Sequence, residues 1–301
     1  MTATAEAPET AVHPAWKGPG LYTAEELSLE LYHQDIVPGG SLSSSGARAI
    51  LDPGCPAQFK HDREHPQPAK REFEVGTAAH HLVLGEGPDL VRVDADEWRT
   101  AKVKAEVAEI RERGAIPLKP DTYQQVQDMA DAIRRDRLAG PLLTPGLGTA
   151  EQSLYWADPN TGVMCRCRPD WLIEQPDLTL CVDYKTSRDA SPRGVSKAIG
   201  DYHYHQQAAW YVDGIQAVLG KPARFVFVVQ SKTAPYLVTT RELAEADMAI
   251  GRAKNAKALR IYAECTKTGV WPDWTGPIDE IPTIALPTWQ ATREAEEYLN
   301  V

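Results

Sequence analysis

The spacing of hydrophobic residues changes along the chain and predicts mainly helices before residue 150. Apolar residues recur at intervals of three and four in residues 72–85, 96–113 and 121–138, which is the period of a helix with one buried face. Glycine and proline residues interrupt the pattern between these segments. The first half of the chain is therefore predicted to be a helical scaffold.

After residue 150 the pattern changes to short runs of alternating or continuous apolar residues, which are typical of strands. Residues 151–158 and 163–173 flank the turn residues 159–162 and predict a β-hairpin. Further strands are predicted at 177–186, 223–230 and 235–240, and helices at 191–219 and 243–265. This order of elements predicts an α/β fold with one mixed central β-sheet flanked by helices.

The composition is that of a globular protein. The chain has 301 residues, 43% of them hydrophobic, which is enough for a sizeable core and excludes a disordered or fibrous chain. No run reaches the roughly 18 apolar residues of a membrane span, and the first residues lack the basic and apolar regions of a signal peptide. We therefore expect a cytoplasmic protein without membrane contact.

The charge and the cysteines exclude two further classes. Lysine and arginine number 32 against 42 aspartates and glutamates, a net charge of −10, which argues against an open basic surface for nucleic acid. The five cysteines have neither the spacing of a disulfide framework nor a CxxC pair. They are predicted to be small buried hydrophobic residues.

The candidate chemistry lies on two predicted strands. Side chains alternate along a strand, so Arg166, Arg168 and Asp170 are expected on one face of the first strand. Asp183 and Lys185 are expected on one face of the next strand, beside Asp170. Two carboxylates and one amine suit a divalent cation with a water molecule, as phosphodiester cleavage requires. The alternative for so short a pattern is a surface ion-pair cluster.

Four motifs occur in an order that resembles the PD-(D/E)xK nuclease superfamily. They are Gly76–His80 (GxxxH), Pro169–Asp170, Asp183–Tyr184–Lys185, and Gln207 with Tyr211 (QxxxY). Over residues 42–240 the chain is most similar to the exonuclease VIII (RecE)-like family of phages and prophages. The resemblance implies a mixed sheet flanked by helices, with residues 1–40 as an arm and short helix, 41–270 as the nuclease domain, and 271–301 as an irregular tail.

The resemblance also implies roles for the acidic motif residues. Asp170 would bridge two Mg²⁺ ions, with Mn²⁺ as a substitute, Asp183 would bind the first ion, and Lys185 would serve the attacking water. His80 would bind the second ion. Glu151 matches an additional acidic position of the family; the alternative is a solvated glutamate at a strand end.

Five further residues are candidate DNA contacts. Gln207 and Tyr211 would contact the DNA strand, the alternative being a polar helix face with a tyrosine packed over the core. Arg166, Arg168 and Arg188 would contact phosphates, the alternative being a solvated basic edge. The aromatic and imidazole cluster at residues 202–205 is expected to pack, or else to bind DNA ends.

By resemblance, the expected function is a Mg²⁺-dependent exonuclease that digests linear double-stranded DNA from its ends, 5′→3′, leaving 3′ single strands for recombination. The alternatives are an endonuclease, a single-strand-specific nuclease, or a catalytically silent module that binds DNA or a partner. The family further implies a ring-shaped homo-oligomer, a single-strand annealing protein as partner, and a bacterial or phage-infected host cell. No iron–sulfur cluster is expected, because Cys165 and Cys167 lie opposite Asp170 on the strand.

The motifs explain how a protein with a net charge of −10 could still act on DNA. Some of the acids are assigned as metal ligands, and bound cations would offset their charge locally. Arg166, Arg168, Lys185 and Arg188 are close in sequence to these acids. The sequence therefore predicts an acidic exterior around a confined basic, metal-bearing channel.

Overall fold

The computed structural model describes residues 12–51, 53–66, 74–85, 87–275, 281 and 283–299. Its main feature is a five-stranded sheet in the order β11-β10-β9-β8-β5. The strands are β5 Thr149–Ala150, β8 Trp171–Glu174, β9 Thr179–Ser187, β10 Ala223–Ser231 and β11 Val238–Arg241. Strands β9 and β10 are parallel and the other pairs are antiparallel, which confirms the mixed sheet.

A second sheet of four strands has the order β1-β6-β7-β2. Its strands are β1 Gly20–Tyr22, β2 Leu42–Ser43, β6 Ser153–Ala157 and β7 Met164–Cys167. The antiparallel pair β6–β7 is the predicted hairpin. A short parallel pair, β3 Leu90–Arg92 with β4 Ile116–Leu118, forms a third sheet.

The strand expected over residues 163–173 is broken between the two large sheets. Strand β7 ends at Cys167, and β8 begins at Trp171 in the five-stranded sheet. Pro169 lies in the link, where it cannot donate a backbone hydrogen bond to a ladder. Arg166, Arg168 and Asp170 therefore do not share one strand face as the alternation predicted, and Asp170 lies at the junction of the sheets.

Helices cover both faces of the five-stranded sheet. In the described residues they are α1 Leu29–Gln34, α2 Ser44–Ile50, α3 Pro56–Glu64, α4 Glu74–Leu84, α5 Ala101–Glu112, α6 Pro120–Arg135, α7 Ala139–Leu142, α8 Pro192–Asp201, α9 Tyr204–Leu219, α10 Glu245–Thr268 and α11 Thr288–Tyr298. The predicted helix 72–85 is α4, and its first two residues lie outside the described part.

Two hydrophobic clusters fix these layers. On one face, Cys181 and Phe227 of the sheet pack in the same cluster as Ala208 of α9 and Leu259 of α10. On the opposite face, a second cluster joins the sheet to α4 and α6 through Val182, Val226, Ala79 and Met129. Burying apolar surface on both faces is the main force that holds such a layered sheet.

The helix predicted over 191–219 is two helices. Ser191 caps the N-terminus of α8, since its hydroxyl oxygen accepts a hydrogen bond from the Gly194 amide. The chain then turns at His203, whose φ of 55° is left-handed and ends the α-helical geometry. Helix α9 begins at Tyr204, so the turn separates two helices that the apolar spacing alone joined.

The N-terminal residues that the structure describes pack onto the main body. Strand β1 pairs with β6, and Tyr22, Tyr32 and Tyr155 form a buried aromatic cluster. Residues 20–22 are thus part of the four-stranded sheet and not a loose arm, and the short helix expected before residue 40 is α1, Leu29–Gln34. Residues 1–11 lie outside the described part.

The C-terminal tail was expected to be irregular, but it contains helix α11, Thr288–Tyr298. Before it, Trp271 stacks on Phe59 with ring centroids 5.9 Å apart. Trp274 donates a hydrogen bond to the Pro53 carbonyl. No helix in the described ranges is long and apolar enough to cross a membrane.

Candidate active site

The two motif aspartates are neighbours because of the strand register. Trp171 of β8 pairs with Val182 of β9, so the residue before β8, Asp170, lies next to Asp183. The Tyr184 backbone amide donates a hydrogen bond to Asp170 Oδ2 over 2.9 Å. The junction between the sheets thus holds the Asp170 carboxylate against the middle of β9.

Asp183 is almost completely buried, with 1% of its side chain exposed. Lys185 Nζ lies 2.8 Å from Asp183 Oδ2, as the predicted shared face requires. Gln207 Nε2 of α9 donates a hydrogen bond to Asp183 Oδ1 over 2.9 Å. Both oxygens of the Asp183 carboxylate therefore face a protein group, Oδ1 the Gln207 amide and Oδ2 the Lys185 ammonium.

His80 and Glu151 complete the group from two other elements. His80 Nε2 of α4 lies 3.1 Å from Asp170 Oδ2, and its Nδ1 lies 3.8 Å from Glu151 Oε1. Glu151 directly follows β5 with a left-handed φ of 53°, and its amide donates to the Asp170 carbonyl. Glu151 is thus held beside Asp170 and His80, not in bulk solvent at a strand end.

The charges of this group shift each other's protonation. Burial raises the pKa of the Asp170 carboxyl, but His80, Lys185 and the Tyr184 amide outweigh burial, so the pKa is lowered. Burial, with the nearby Asp170 charge, raises the pKa of Asp183. Two adjacent carboxyls with shifts of opposite sign are a common feature of functional sites.

The basic members of the group hold their protons more strongly than usual. Burial lowers the pKa of Lys185, but Asp183 and Asp170 outweigh it and the net shift is upward. Burial also lowers the pKa of His80, but Asp170, together with Glu151 and Asp183, outweighs burial and the net shift is upward. Burial also raises the pKa of Glu151, although Arg168 partly offsets this effect.

The donor set fits a hard or borderline divalent cation. One ligand atom from each of His80, Glu151 and Asp170 can be chosen so that all three lie within 4.8 Å of one another. Carboxylate oxygens suit hard divalent cations, and an imidazole suits borderline ones. Asp183, whose Oδ2 also pairs with Lys185 Nζ over 2.8 Å, is a further candidate ligand beside this group. Enzymes of the PD-(D/E)xK class generally use divalent ions, and these residues fit one.

A cleft opens beside these ligands. It has a volume of ≈ 510 Å³ and lies between α1 and α4. Its wall includes His80, Glu151, Tyr184 and Thr186 from the site, and Leu29 from α1. His80 and Glu151 are therefore reachable from this cleft, and Asp170 lies directly behind them, in contact with His80.

The guanidiniums of Arg166 and Arg168 are engaged inside the protein. Arg166 lies 2.5 Å from an Asp35 carboxylate oxygen and donates to Ser41 Oγ. Arg168, 8% exposed, donates to Glu151 Oε2 over 2.8 Å and to Ser153 Oγ over 2.7 Å. Asp35 and Glu151 offset the charges of these two arginines. Arg166 and Arg168 therefore do not provide the free positive charge that the predicted basic channel requires.

The other candidate DNA contacts are placed differently. Arg188 follows β9 and is exposed. Gln207 is buried against Asp183, which makes it a positioning group for that carboxylate. Tyr211 lies one turn further along α9, partly buried, with its hydroxyl 3.4 Å from the Arg168 carbonyl oxygen.

Tyr204 is a site neighbour that the motifs did not identify. Lys185 Nζ lies 4.6 Å from the centre of its ring, a cation–π contact. The sequence signal was the cluster at residues 202–205, which was expected to pack or else to bind DNA ends, without a link to Lys185. Cys165, Cys167 and Cys181 are buried in the hydrophobic core, where burial raises their thiol pKa values.

A mixed sheet with paired aspartates and a lysine at its centre defines a protein of the PD-(D/E)xK fold class, and this fold and site support a nuclease hydrolase. Residues 43–282 match the family described as a PDDEXK-like domain of unknown function (DUF3799), and the chain belongs to that family. None of the curated proteins matches the chain.

Two solved structures illustrate the likeness. A candidate exonuclease from Eubacterium rectale is 11% identical, with a TM-score of 0.55 over 90% of this chain and 98% of its own; at this identity the match shows the fold alone. An alkaline exonuclease from Laribacter hongkongensis is 14% identical over 66% of this chain and 97% of its own. Its TM-score of 0.25 adds no support.

Proposed function

We propose that the protein is a metal-dependent DNA exonuclease that hydrolyses phosphodiester bonds from the ends of linear double-stranded DNA. The observation that carries this proposal is the convergence of His80, Glu151 and Asp170 with the pair Asp183–Lys185. Donors from α4, the β5 end, the sheet junction and β9 meet beside an open cleft. The alternative, a surface ion-pair cluster, would not require buried groups from four separate elements to meet at one point.

In the proposed site Asp170, Asp183 and His80 hold Mg²⁺, and Glu151 is the additional acid. Two ions are proposed, with Mn²⁺ as a substitute. When bound, such ions supply charge neutralisation at the phosphate and at the attacking and leaving oxygens. Gln207 and Arg168 fix the orientations of Asp183 and Glu151 through the hydrogen bonds described above.

Lys185 serves the attacking water in this proposal. Its raised pKa keeps the amine protonated at neutral pH, and an ammonium group donates hydrogen bonds but accepts none. Lys185 is therefore proposed to orient the water and to stabilise developing negative charge. Arg188 and Tyr211 are proposed DNA contacts on the strand end and helix that border the site.

Several finer points rest on the family resemblance alone. They are 5′→3′ polarity, production of 3′ single strands for recombination, a ring-shaped homo-oligomer, a single-strand annealing partner, and a cytoplasmic location in a bacterial or phage-infected cell. Light scattering tests the ring: a monomer at working concentration would remove it. Labelling either strand at its 5′ or 3′ end tests the polarity.

Digestion of a linear duplex and of a covalently closed circle with Mg²⁺ tests the main proposal. We expect stepwise release of nucleotides from the linear duplex and an intact circle. Lys185→Ala should reduce the rate about 10²-fold or more. Lys221→Ala is the matched control, since Lys221 pairs with Glu174 on the surface. Cutting of the circle would indicate an endonuclease, and full activity in Lys185→Ala would refute the assigned site.

A further inference from the structure

Three elements bring basic side chains together at the start of α9, beyond the metal-ligand candidates. Lys254 Nζ of α10 lies 3.0 Å from His203 Nδ1. Arg48 of α2 donates a hydrogen bond to the Tyr202 carbonyl over 2.7 Å. His205 lies beside His203, with ring centroids 5.8 Å apart. We define Arg48, His203, His205 and Lys254 as the basic cluster.

The basic cluster lacks acidic partners. Across the described ranges of the chain, no carboxylate forms an ion pair with any of its members, and the nearby Asp201 pairs with Lys197. Burial and the positive charges of Lys254, His205 and Arg48 lower the pKa of His203. In a chain of net charge −10, an arginine and a lysine that have no carboxylate partner favour an anionic ligand.

The fold holds the cluster together by close packing. A Cβ atom added to Gly251 would lie 2.3 Å from the His205 carbonyl oxygen, so α10 can approach the start of α9 this closely only with glycine there. Asn255 Nδ2 also donates to the Gln206 carbonyl over 3.0 Å in the buried contact. Lys254 is one residue before Asn255, so this packing fixes its position beside His203.

The cluster has donors that the protein itself does not use. A guanidinium carries five N–H donors, and the Arg48 side chain has one hydrogen bond among the described residues, to Tyr202. The Lys254 ammonium likewise has one hydrogen bond among the described residues, to His203 Nδ1. Arg48 and Lys254 are only partly buried, so their remaining donors can reach a ligand at the surface.

The cluster lies next to the catalytic lysine. Tyr204 follows His203 directly and carries the ring that Lys185 Nζ contacts. Gln207, which binds Asp183, is four residues after His203, or about 6 Å along the helix axis. The basic cluster therefore adjoins, through Tyr204 and Gln207, the two side chains of the site that lie on β9, Lys185 and Asp183.

An exposed aromatic ring favours nucleic acid over a small anion. Tyr202 is 60% exposed and its ring centroid lies 5.6 Å from that of Tyr204. Basic groups combined with an exposed aromatic face are the usual platform for a nucleic-acid strand, since every base can stack. The proposed function supplies such a strand to this part of the surface.

We propose that Arg48 and Lys254, with His203 and His205, bind backbone phosphodiesters of the DNA strand next to the scissile position, and that Tyr202 stacks on an adjacent base. This inference rests on the proposed function. The two arginines expected to bind phosphate, Arg166 and Arg168, are paired internally, and the basic cluster takes over that role.

Salt-dependent DNA binding by the full chain tests the inference. A fluorescent duplex with 5′-hydroxyl ends is titrated without divalent ions, so that every phosphate is a phosphodiester and no cleavage occurs. Arg48→Gln and Lys254→Gln should each weaken binding roughly tenfold and reduce the slope of log K against log salt by about 0.9. Tyr202→Ala should weaken binding with an unchanged slope, because stacking releases no counterions.

Lys267→Gln is the matched control, with the same charge change on the same helix about 20 Å further along its axis. Circular dichroism and the thermal midpoint check folding of each variant. If Arg48→Gln and Lys254→Gln behave like Lys267→Gln while the unmodified protein binds and degrades DNA, the inference is wrong and the proposed function stands. If the unmodified protein neither binds nor degrades DNA with Mg²⁺ or Mn²⁺, the proposed function fails and the inference fails with it.

Discussion

Gln207 Nε2 donates a hydrogen bond to Asp183 Oδ1 over 2.9 Å, and this bond ties helix α9 to the centre of β9. The Asp183 carboxyl is 1% exposed, so it cannot exchange this donor for water. The QxxxY motif therefore contributes a positioning group for a metal-ligand candidate. Partners of this kind set the orientation and affinity of a ligand without touching the metal.

Gln207→Ala should weaken Mg²⁺ or Mn²⁺ binding by about 10- to 100-fold. The Asp183 carboxylate would lose a donor inside the protein and would be held less firmly. Isothermal titration calorimetry with Mn²⁺ measures the affinity. Gln216→Ala, on the exposed side of the same helix, should bind like the unmodified protein. Equal affinity of both variants would show that Gln207 does not position Asp183.

Stability of the metal-free protein should depend on pH through His80. The pKa of His80 is raised above its ordinary value of 6.5, chiefly by Asp170 against the effect of burial. The folded state therefore binds this proton more strongly than the unfolded state. The stabilisation that this proton gives to the folded state is complete below about pH 6.5, the ordinary pKa of histidine. It is lost as pH rises through the raised pKa of His80 in the folded state.

Urea denaturation in a chelator at a series of pH values measures this dependence. The free energy of unfolding should fall with rising pH by more in the unmodified protein than in His80→Gln. His61→Gln, on the exposed face of α3, should keep the full dependence. Mn²⁺ affinity should rise over the same pH range, because the metal must displace the His80 proton.

Arg168→Met should destabilise the fold by about 3 kcal/mol, the cost of leaving a buried ion pair half broken. Arg168 is 8% exposed and satisfies Glu151, Ser153 and the Leu27 carbonyl. Chemical denaturation measures the loss, with exposed Arg193→Met as control. Combining Arg168→Met with Glu151→Gln should recover part of the lost stability, because the double variant no longer has an unpaired carboxylate at residue 151. A stable Arg168→Met with weaker DNA binding would instead favour the phosphate contact.

Tyr204→Leu should lower the maximal rate roughly two- to fivefold, as expected for the loss of a cation–π contact of about 0.5–1 kcal/mol. Tyr204→Phe retains the ring that Lys185 contacts over 4.6 Å, so it should keep the rate. The pH dependence of the rate separates this role from a general packing role. Only the leucine variant should shift the part of the pH–rate profile in which Lys185 loses its proton. Identical profiles for both variants would contradict the role.

Local patterns in the sequence determined much of this protein. Strand alternation placed Asp183 and Lys185 on one face, and the structure has their charged atoms 2.8 Å apart. The hairpin and the mixed sheet were also predictable, because turn residues and apolar runs act within a few positions of each other. Helical spacing predicted α4, the element that carries His80.

Only the tertiary structure decided which charges meet. Arg166 has Asp35 as partner and Arg168 has Glu151, although alternation had suggested that both point to Asp170. The link that contains Pro169 joins strands of two different sheets, and the turn at His203 separates two helices. These outcomes depend on contacts between residues far apart in sequence. A buried charge takes whichever partner the packing brings near, because leaving it unpaired costs several kcal/mol.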